Sequence, residues 1–192
     1  FEVPTPGEVT CFEFDPNNVN NMVIALSSGQ LMFVKFFDLI NILKNHANSD
    51  IYSYLKKSDT REFYVYNLSS LKWTHQSLIN AVKWFPPGYS YKKKGQMQYS
   101  PDEHESSIVV SLGEDGIAMI WDYRGLSLHE SKSAQIINDV NDYLIPKKIE
   151  VNKVDAIGRI CGTGLEIEDI GNQKFYFYIS TDEGQIYCVD MT

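Results

Sequence analysis

Three segments of the chain share one pattern of apolar and polar positions. Each has an apolar run that contains β-branched residues, a tight turn with glycine, and a second mainly apolar run. The segments read NMVIALSSGQLMFVKF, SIVVSLGEDGIAMIWD and FYFYISTDEGQIYCVDM. Glycine tolerates the positive φ that such turns require, so the pattern predicts three β-hairpins. The turn glycines are Gly29, Gly116 and Gly184.

A second element repeats in step with the hairpins. VTCFEFDP at residues 9–16 overlays INAVKWFP at residues 79–86 without a gap, and ICGTGLEI at residues 160–167 is a weaker third copy. Alternating apolar positions closed by proline are typical of a strand that enters a loop. Together with the outer strands EFYVYNL and KKIEV, these segments give eleven predicted strands. The chain is therefore predicted to be all-β and built from a repeated unit.

The repeat is interrupted by three insertions. The turn glycines are separated by 87 and then 68 residues, whereas four-stranded repeats of this kind recur at about 40–45 residues. Residues 38–59 carry apolar positions at helical spacing and are predicted to pack either on the flank of the sheets or on a partner. Residues 87–107 are polar and turn-rich, which predicts a mobile loop. Residues 125–145 are predicted to contain a short helix.

His75, Ser111, Asp115 and Trp121 of the second repeat lie where a WD repeat has a histidine, a serine or threonine, a turn aspartate and a tryptophan, and this resemblance implies that the four form a hydrogen-bonded tetrad. A tryptophan N–H can donate to a hydroxyl, the hydroxyl to an imidazole, and the imidazole to a carboxylate. The same Ser, His and Asp types occur in hydrolase triads, but catalysis must be argued from geometry and not from residue types. We favour a structural tetrad over a triad. The matching positions are Ile24, Ser28 and Val34 in the first repeat, and Ile179, Glu183 and Val189 in the third.

The second repeat resembles a WD repeat, the blade unit of many β-propellers. The resemblance goes beyond the dipeptide Trp121-Asp122, because WD blades place a histidine, a serine or threonine, a turn aspartate and a tryptophan at the positions of the tetrad. It implies a WD40-type β-propeller segment of about three four-stranded blades with helical and loop insertions. Residues 1–192 would then be part of one propeller domain, with blade-like units at about 7–68, 75–151 and 157–192.

This segment is expected to be incomplete. Closed propellers typically have about 4–8 blades, each of four strands. The eleven predicted strands amount to a little under three blades, and the first residue is Phe1 rather than methionine. The sequence is therefore expected to be a segment of something longer, whose remaining blades cover the open edges.

The amino-acid sequences of particular strands are similar to those in the propeller of dynein intermediate chains, most closely the axonemal inner-arm branch. The similar stretches are VTCFEFDPNNVNNMVIALSSGQLMFVKF, HQSLINAVKWFP, GEDGIAMIWDYR, FYFYISTDEGQIYCVD and IPKKIEV followed by GRICGTGLEI. This resemblance implies a non-catalytic scaffold subunit that binds the dynein heavy-chain tail, a second intermediate chain and light chains. Its expected location is the cytoplasm and cytoskeleton, in the axoneme of a cilium or flagellum. A WD-repeat adaptor in another complex is the alternative.

Charge and composition narrow the range of partners and cofactors. The net charge of −8 argues against a nucleic-acid-binding surface, which would carry a basic face. The sequence has no apolar run of membrane-spanning length. The three cysteines, Cys11, Cys161 and Cys188, form no CxxC pair and are predicted to be small buried residues in a reducing compartment. No cofactor or metal site is predicted.

One basic cluster is a candidate partner contact. Lys92, Lys93 and Lys94 lie among tyrosines within the second insertion. They could contact an acidic surface, but a solvated loop without a partner is the interpretation we favour.

Overall fold

A computed structural model describes residues 3–36, 63–69, 71–91, 97–102, 104–122, 147–150, 161–171 and 174–190. In these ranges the chain forms thirteen β-strands and one three-residue 3-10 helix, Leu71–Trp73. All strand pairs there are antiparallel, so the all-β prediction is confirmed for this part of the chain. None of its helices is long and apolar enough to cross a bilayer. The predicted helical insertions at 38–59 and 125–145 lie outside the described residues, as do Lys92, Lys93 and Lys94.

The strands form three large sheets and one small hairpin. Sheet 1 has the order β1-β2-β3-β4, sheet 2 the order β10-β9-β8-β5 and sheet 3 the order β11-β12-β13, while β6 pairs with β7. All eleven strands predicted from the sequence are present. The strands are β1 Val9–Phe14, β2 Asn21–Leu26, β3 Leu31–Phe36, β4 Phe63–Leu68, β5 Ile79–Trp84, β6 Tyr89–Tyr91, β7 Met97–Tyr99, β8 Ile108–Gly113, β9 Ile117–Asp122, β10 Lys147–Glu150, β11 Gly162–Asp169, β12 Phe175–Thr181 and β13 Ile186–Asp190.

The first strand of each sheet carries a bulge at the same place. The register shifts after Val9 in β1, after Ile79 in β5 and after Gly162 in β11. A bulge inserts one extra residue and bends the strand, so its recurrence makes these three residues equivalent. The overlay of Val9 on Ile79 is thereby confirmed, and the third strand begins at Gly162 rather than at Ile160.

Two short strands lie in the described part of the second insertion, although its polar composition indicated a loop. Residues 89–91 pair with residues 97–99, so the prediction of a mobile loop was wrong for these two strands. The Tyr89 ring packs edge-on against Phe175 at 4.6 Å and against Phe85 at 5.5 Å, and Ser107 Oγ donates to the Tyr89 carbonyl at 2.9 Å. The contact between Tyr89 and Phe175 joins residues far apart in sequence, which is why the local composition did not reveal it.

The three sheets stack through their apolar faces. One core lies between sheets 1 and 2 and includes Phe33, Trp84 and Trp121. A second core lies between sheets 2 and 3 and includes Ile120 and Phe177. The strands β2 and β8 are buried at every position, which explains why both read as nearly continuous apolar runs.

Hydrogen bonds between first strands fix the sheets laterally. The strand β5 contacts both β1 and β11. The Trp84 amide donates to Glu13 Oε2 at 2.8 Å, and its indole N–H donates to the Glu13 carbonyl at 3.1 Å. On the other side, Asn80 Nδ2 donates to the Gly162 carbonyl at 2.7 Å. The contacts of sheet 2 with sheets 1 and 3 therefore each combine apolar packing with hydrogen bonds between first strands.

Candidate functional site: a hydrogen-bonded tetrad at the second hairpin

Four neighbouring segments of sheet 2 each position one tetrad residue. His75 lies in the segment that leads into β5, Ser111 lies on β8 and Trp121 lies on β9. Asp115 occupies the turn between β8 and β9, where Gly116 has φ of 69° and donates its N–H to the Gly113 carbonyl at 3.1 Å. The two strands place side chains on one face at every second residue, and the turn returns Asp115 toward His75.

The structure brings all four residues together. Trp121 Nε1 lies 2.8 Å from Ser111 Oγ, which lies 2.8 Å from His75 Nε2. His75 Nδ1 lies 3.1 Å from Asp115 Oδ1. An indole can only donate and a carboxylate can only accept, so the donors run in one direction: Trp121 to Ser111, Ser111 to His75, and His75 to Asp115. Each of the four polar side chains therefore has a hydrogen-bond partner within the tetrad.

The four tetrad side chains are almost completely buried, so each depends on its hydrogen-bond partners in place of water. Ser111 and Trp121 are fully buried, His75 is 2% exposed, and the Asp115 side chain is 4% exposed. Burial acts to raise the pKa of Asp115, but the hydrogen bond and charge of His75, with two backbone N–H groups, outweigh it, so this pKa lies below its usual value. The tetrad thus holds an ionised carboxylate at the end of a satisfied network, where each lost partner is costly.

Three supporting residues were not identified from the sequence. Ser77 Oγ accepts the Asp115 backbone N–H at 2.8 Å, and the Gln76 N–H donates to Asp115 Oδ2 at 3.3 Å. A Cβ at Gly113 would lie 2.5 Å from both His75 Nδ1 and Asp115 Oδ1. The Gly113-Glu114-Asp115-Gly116 string contained a signal for this requirement, because its first glycine is not needed for the turn's positive φ.

The geometry suits a structural role better than nucleophilic catalysis. A catalytic serine must reach a substrate carbonyl while its base takes the proton. Ser111 is fully buried and Trp121 donates to its oxygen. A cavity of about 440 Å³ is lined by His75 and Glu114, but Ser111 is not among its lining residues. In the described ranges, no three His, Cys, Asp or Glu residues are grouped closely enough to hold a metal ion.

The other two repeats have apolar residues at the positions of Ser111 and Trp121 and the polar residues Ser28 and Glu183 at the position of Asp115. Ser111 opposes Val82 across the strand pair, as Ile24 opposes Phe12 and Ile179 opposes Leu165. These registers support the residue correspondence inferred from the sequence. In the first and third repeats, side-chain packing therefore replaces the hydrogen-bonded serine.

Comparisons with known proteins do not identify a family for this chain. No protein-family model and no curated protein matches it. One similar solved structure is the crystal structure of the computationally designed protein Ika4, with 15% sequence identity and a TM-score of 0.36 over 98% of this chain and 94% of that chain. A TM-score this low supports no conclusion about the fold or the function.

Proposed function

We propose that this chain is part of a WD40-type β-propeller that serves as a non-catalytic scaffold subunit of an axonemal dynein. In this role it contributes binding surface for the heavy-chain tail, a second intermediate chain and light chains. The expected location is the axoneme of a cilium or flagellum. The sequence resemblance and the arrangement of the three sheets both support this role, and no chemical reaction is proposed.

The observation that carries the scaffold role is the complete internal satisfaction of the tetrad. Its serine is buried between Trp121 and His75, and its carboxylate accepts the backbone N–H of Ile117 in the same hairpin and that of Gln76 in the entry segment. Such a network stabilises one arrangement of the hairpin and its entry segment. A surface built on rigid sheets, with loops between them, is suited to positioning partners.

The propeller part of the proposal has separate support. The three sheets repeat the same first-strand bulge and the same glycine turn, and β5 lies against both β1 and β11. Radial repetition of four-stranded sheets is the organising feature of propellers. A protein with this arrangement presents several sheet edges and turn surfaces at once, as a multi-subunit scaffold requires.

The test is purification of the tagged protein from ciliated cells, followed by mass spectrometry of its stable partners. Recovery of a dynein heavy chain, a second intermediate chain and light chains in comparable yield supports the proposal. Recovery of a different stable complex without dynein subunits removes the dynein assignment and supports the alternative of a WD-repeat adaptor. The variant Ser111→Ala tests the absence of catalysis: loss of an enzymatic turnover with unchanged stability would contradict the scaffold role.

A further inference from the structure

Sheet 3 exposes a face that is buried in the other two sheets. We call it the distal face; its residues on β12 and β13 are Tyr176, Tyr178, Ser180, Ile186, Cys188 and Asp190. The strand registers make Tyr178 equivalent to Val23 in sheet 1 and Val110 in sheet 2, which are both fully buried beneath the next sheet. Ile186 is instead 73% exposed. The distal face therefore occupies the place where a further sheet would stack.

The side chains of the distal face differ in type from those on the equivalent, buried face of sheet 2. Sheet 2 uses Val110 and Ile120 at positions where sheet 3 has Tyr178 and Cys188. The Tyr178 hydroxyl donates to Glu168 Oε2 at 2.7 Å, and this bond raises the pKa of Tyr178 to about 12. Tyrosines combine a large apolar ring with a polar group, and they are enriched where proteins meet.

A ladder of alternating charges runs along the first strands and ends beside this face. Lys83 Nζ lies 3.3 Å from Glu13 Oε1 on β1 and 3.1 Å from Glu166 Oε2 on β11. These three residues are equivalent, because Glu13 opposes Val23, Lys83 opposes Val110 and Glu166 opposes Tyr178. Burial acts to lower the pKa of Lys83, but the hydrogen bond to Glu166 and the charge of Glu13 outweigh it and raise that pKa.

The ladder identifies what kind of sheet would stack next. Each observed step joins a carboxylate to a lysine, and Glu166 at the end of the ladder is 67% exposed. A second copy of this chain would place its own Glu13 or Glu166 beside Glu166, and like charges in contact are unfavourable. We propose that the distal face binds a partner β-sheet whose first strand carries a lysine or arginine beside Glu166. This inference rests on the stacking within the chain and does not depend on the dynein assignment.

Two hairpin probes test the proposal on the ¹⁵N-labelled chain. Both are disulfide-cyclised β-hairpins with valines on one face. On the opposite face of the leading strand, one probe has a single lysine and the other has glutamate. The lysine probe should shift amide resonances of β11, β12 and β13, should slow alkylation of the exposed Cys188, and should bind about five-fold more tightly than the glutamate probe.

Two neutral variants show whether Glu166 provides the preference. Glu166→Gln should abolish the difference between the probes, whereas Glu114→Gln, at an exposed carboxylate in the β8–β9 turn, should preserve it. Neither side chain is part of a core, so circular dichroism should be unchanged for both variants. Equal binding of the two probes, resonance shifts confined to other sheets, or dimerisation of the chain through the distal face would each overturn the proposal.

Discussion

Replacing Ser111 by alanine should destabilise the chain far more than the loss of one hydroxyl group implies. Ser111 Oγ joins two buried partners, the Trp121 indole N–H and His75 Nε2, each at 2.8 Å. Alanine leaves both partners unsatisfied in a region without solvent access. Each such group costs about 1–3 kcal/mol, so the free energy of unfolding should fall by about 2–6 kcal/mol. Domains of this kind have a total stability of about 5–15 kcal/mol.

Ser107→Ala is the matched control. Ser107 is also buried, and its hydroxyl has a single described contact, to the Tyr89 carbonyl at 2.9 Å. Its removal takes a hydrogen bond from one group, the Tyr89 carbonyl, so it should cost about 1–3 kcal/mol, which is about half the cost of Ser111→Ala. The assay is urea unfolding followed by tryptophan fluorescence and circular dichroism, with the slope m compared between variants, because an unchanged m attributes the shift in midpoint to stability.

A double-mutant cycle identifies the source of the cost. On a Trp121→Phe background the indole N–H is absent, so Ser111→Ala should cost about 1–3 kcal/mol less than it does alone. The reasoning is refuted if Ser111→Ala costs no more than Ser107→Ala, or if the cycle is additive within about 0.5 kcal/mol.

Three further predictions concern the turn regions. The pKa of Asp115 is lowered in the folded state, so its stabilisation is present above its unfolded pKa of about 3.9 and is lost as pH falls through the lower folded value. The stability advantage over Asp115→Asn in urea unfolding should therefore be constant from about pH 6 to about pH 5 and should shrink as the pH falls below about 4. Gly113→Ala should separate His75 from Asp115 and cost about 1–3 kcal/mol, whereas Gly7→Ala, where a Cβ meets nothing within 4 Å, should be nearly neutral; equal effects on the urea midpoint would contradict the steric account. Gly29 and Gly184 hold the same turn position with φ of 80° and 78°, but only at Gly29 would a Cβ strike a backbone, the His75 carbonyl. Gly184→Ala should cost about 1–2 kcal/mol in thermal or urea unfolding, Gly29→Ala should cost clearly more, and the reverse order would exclude this packing.

The local pattern was sufficient for most strands, whereas the tetrad was predicted from the resemblance to a WD repeat. Period-two alternation and the glycine turns determine which residues share a face, so Ser111 and Trp121 could be placed on adjacent strands from the sequence. The roles of these two residues, and those of His75 and Asp115, came from the positions that match a WD repeat. These features depend on residues within one hairpin and its entry segment.

Other features required contacts between distant segments. The β6–β7 hairpin is fixed by Tyr89 against Phe175, and the start of β11 is set by a bulge that appears only in its pairing with β12. Lys83 and Glu166 could not be grouped from the sequence, because their strands, β5 and β11, meet only when the sheets stack.

The sequence by itself thus determined the all-β class and the hairpins with their turn glycines, because short-range periodicity and turn stereochemistry are local properties. The resemblance of the second repeat to a WD repeat supplied the membership of the tetrad. The tertiary structure decided the pairing of β6 with β7, the need for glycine at position 113 beside His75, the charge ladder and the exposure of the distal face. Each of these depends on which surfaces meet after the sheets have stacked. Packing between sheets brings together side chains that are separated by dozens of residues, and a one-dimensional pattern carries no record of that proximity.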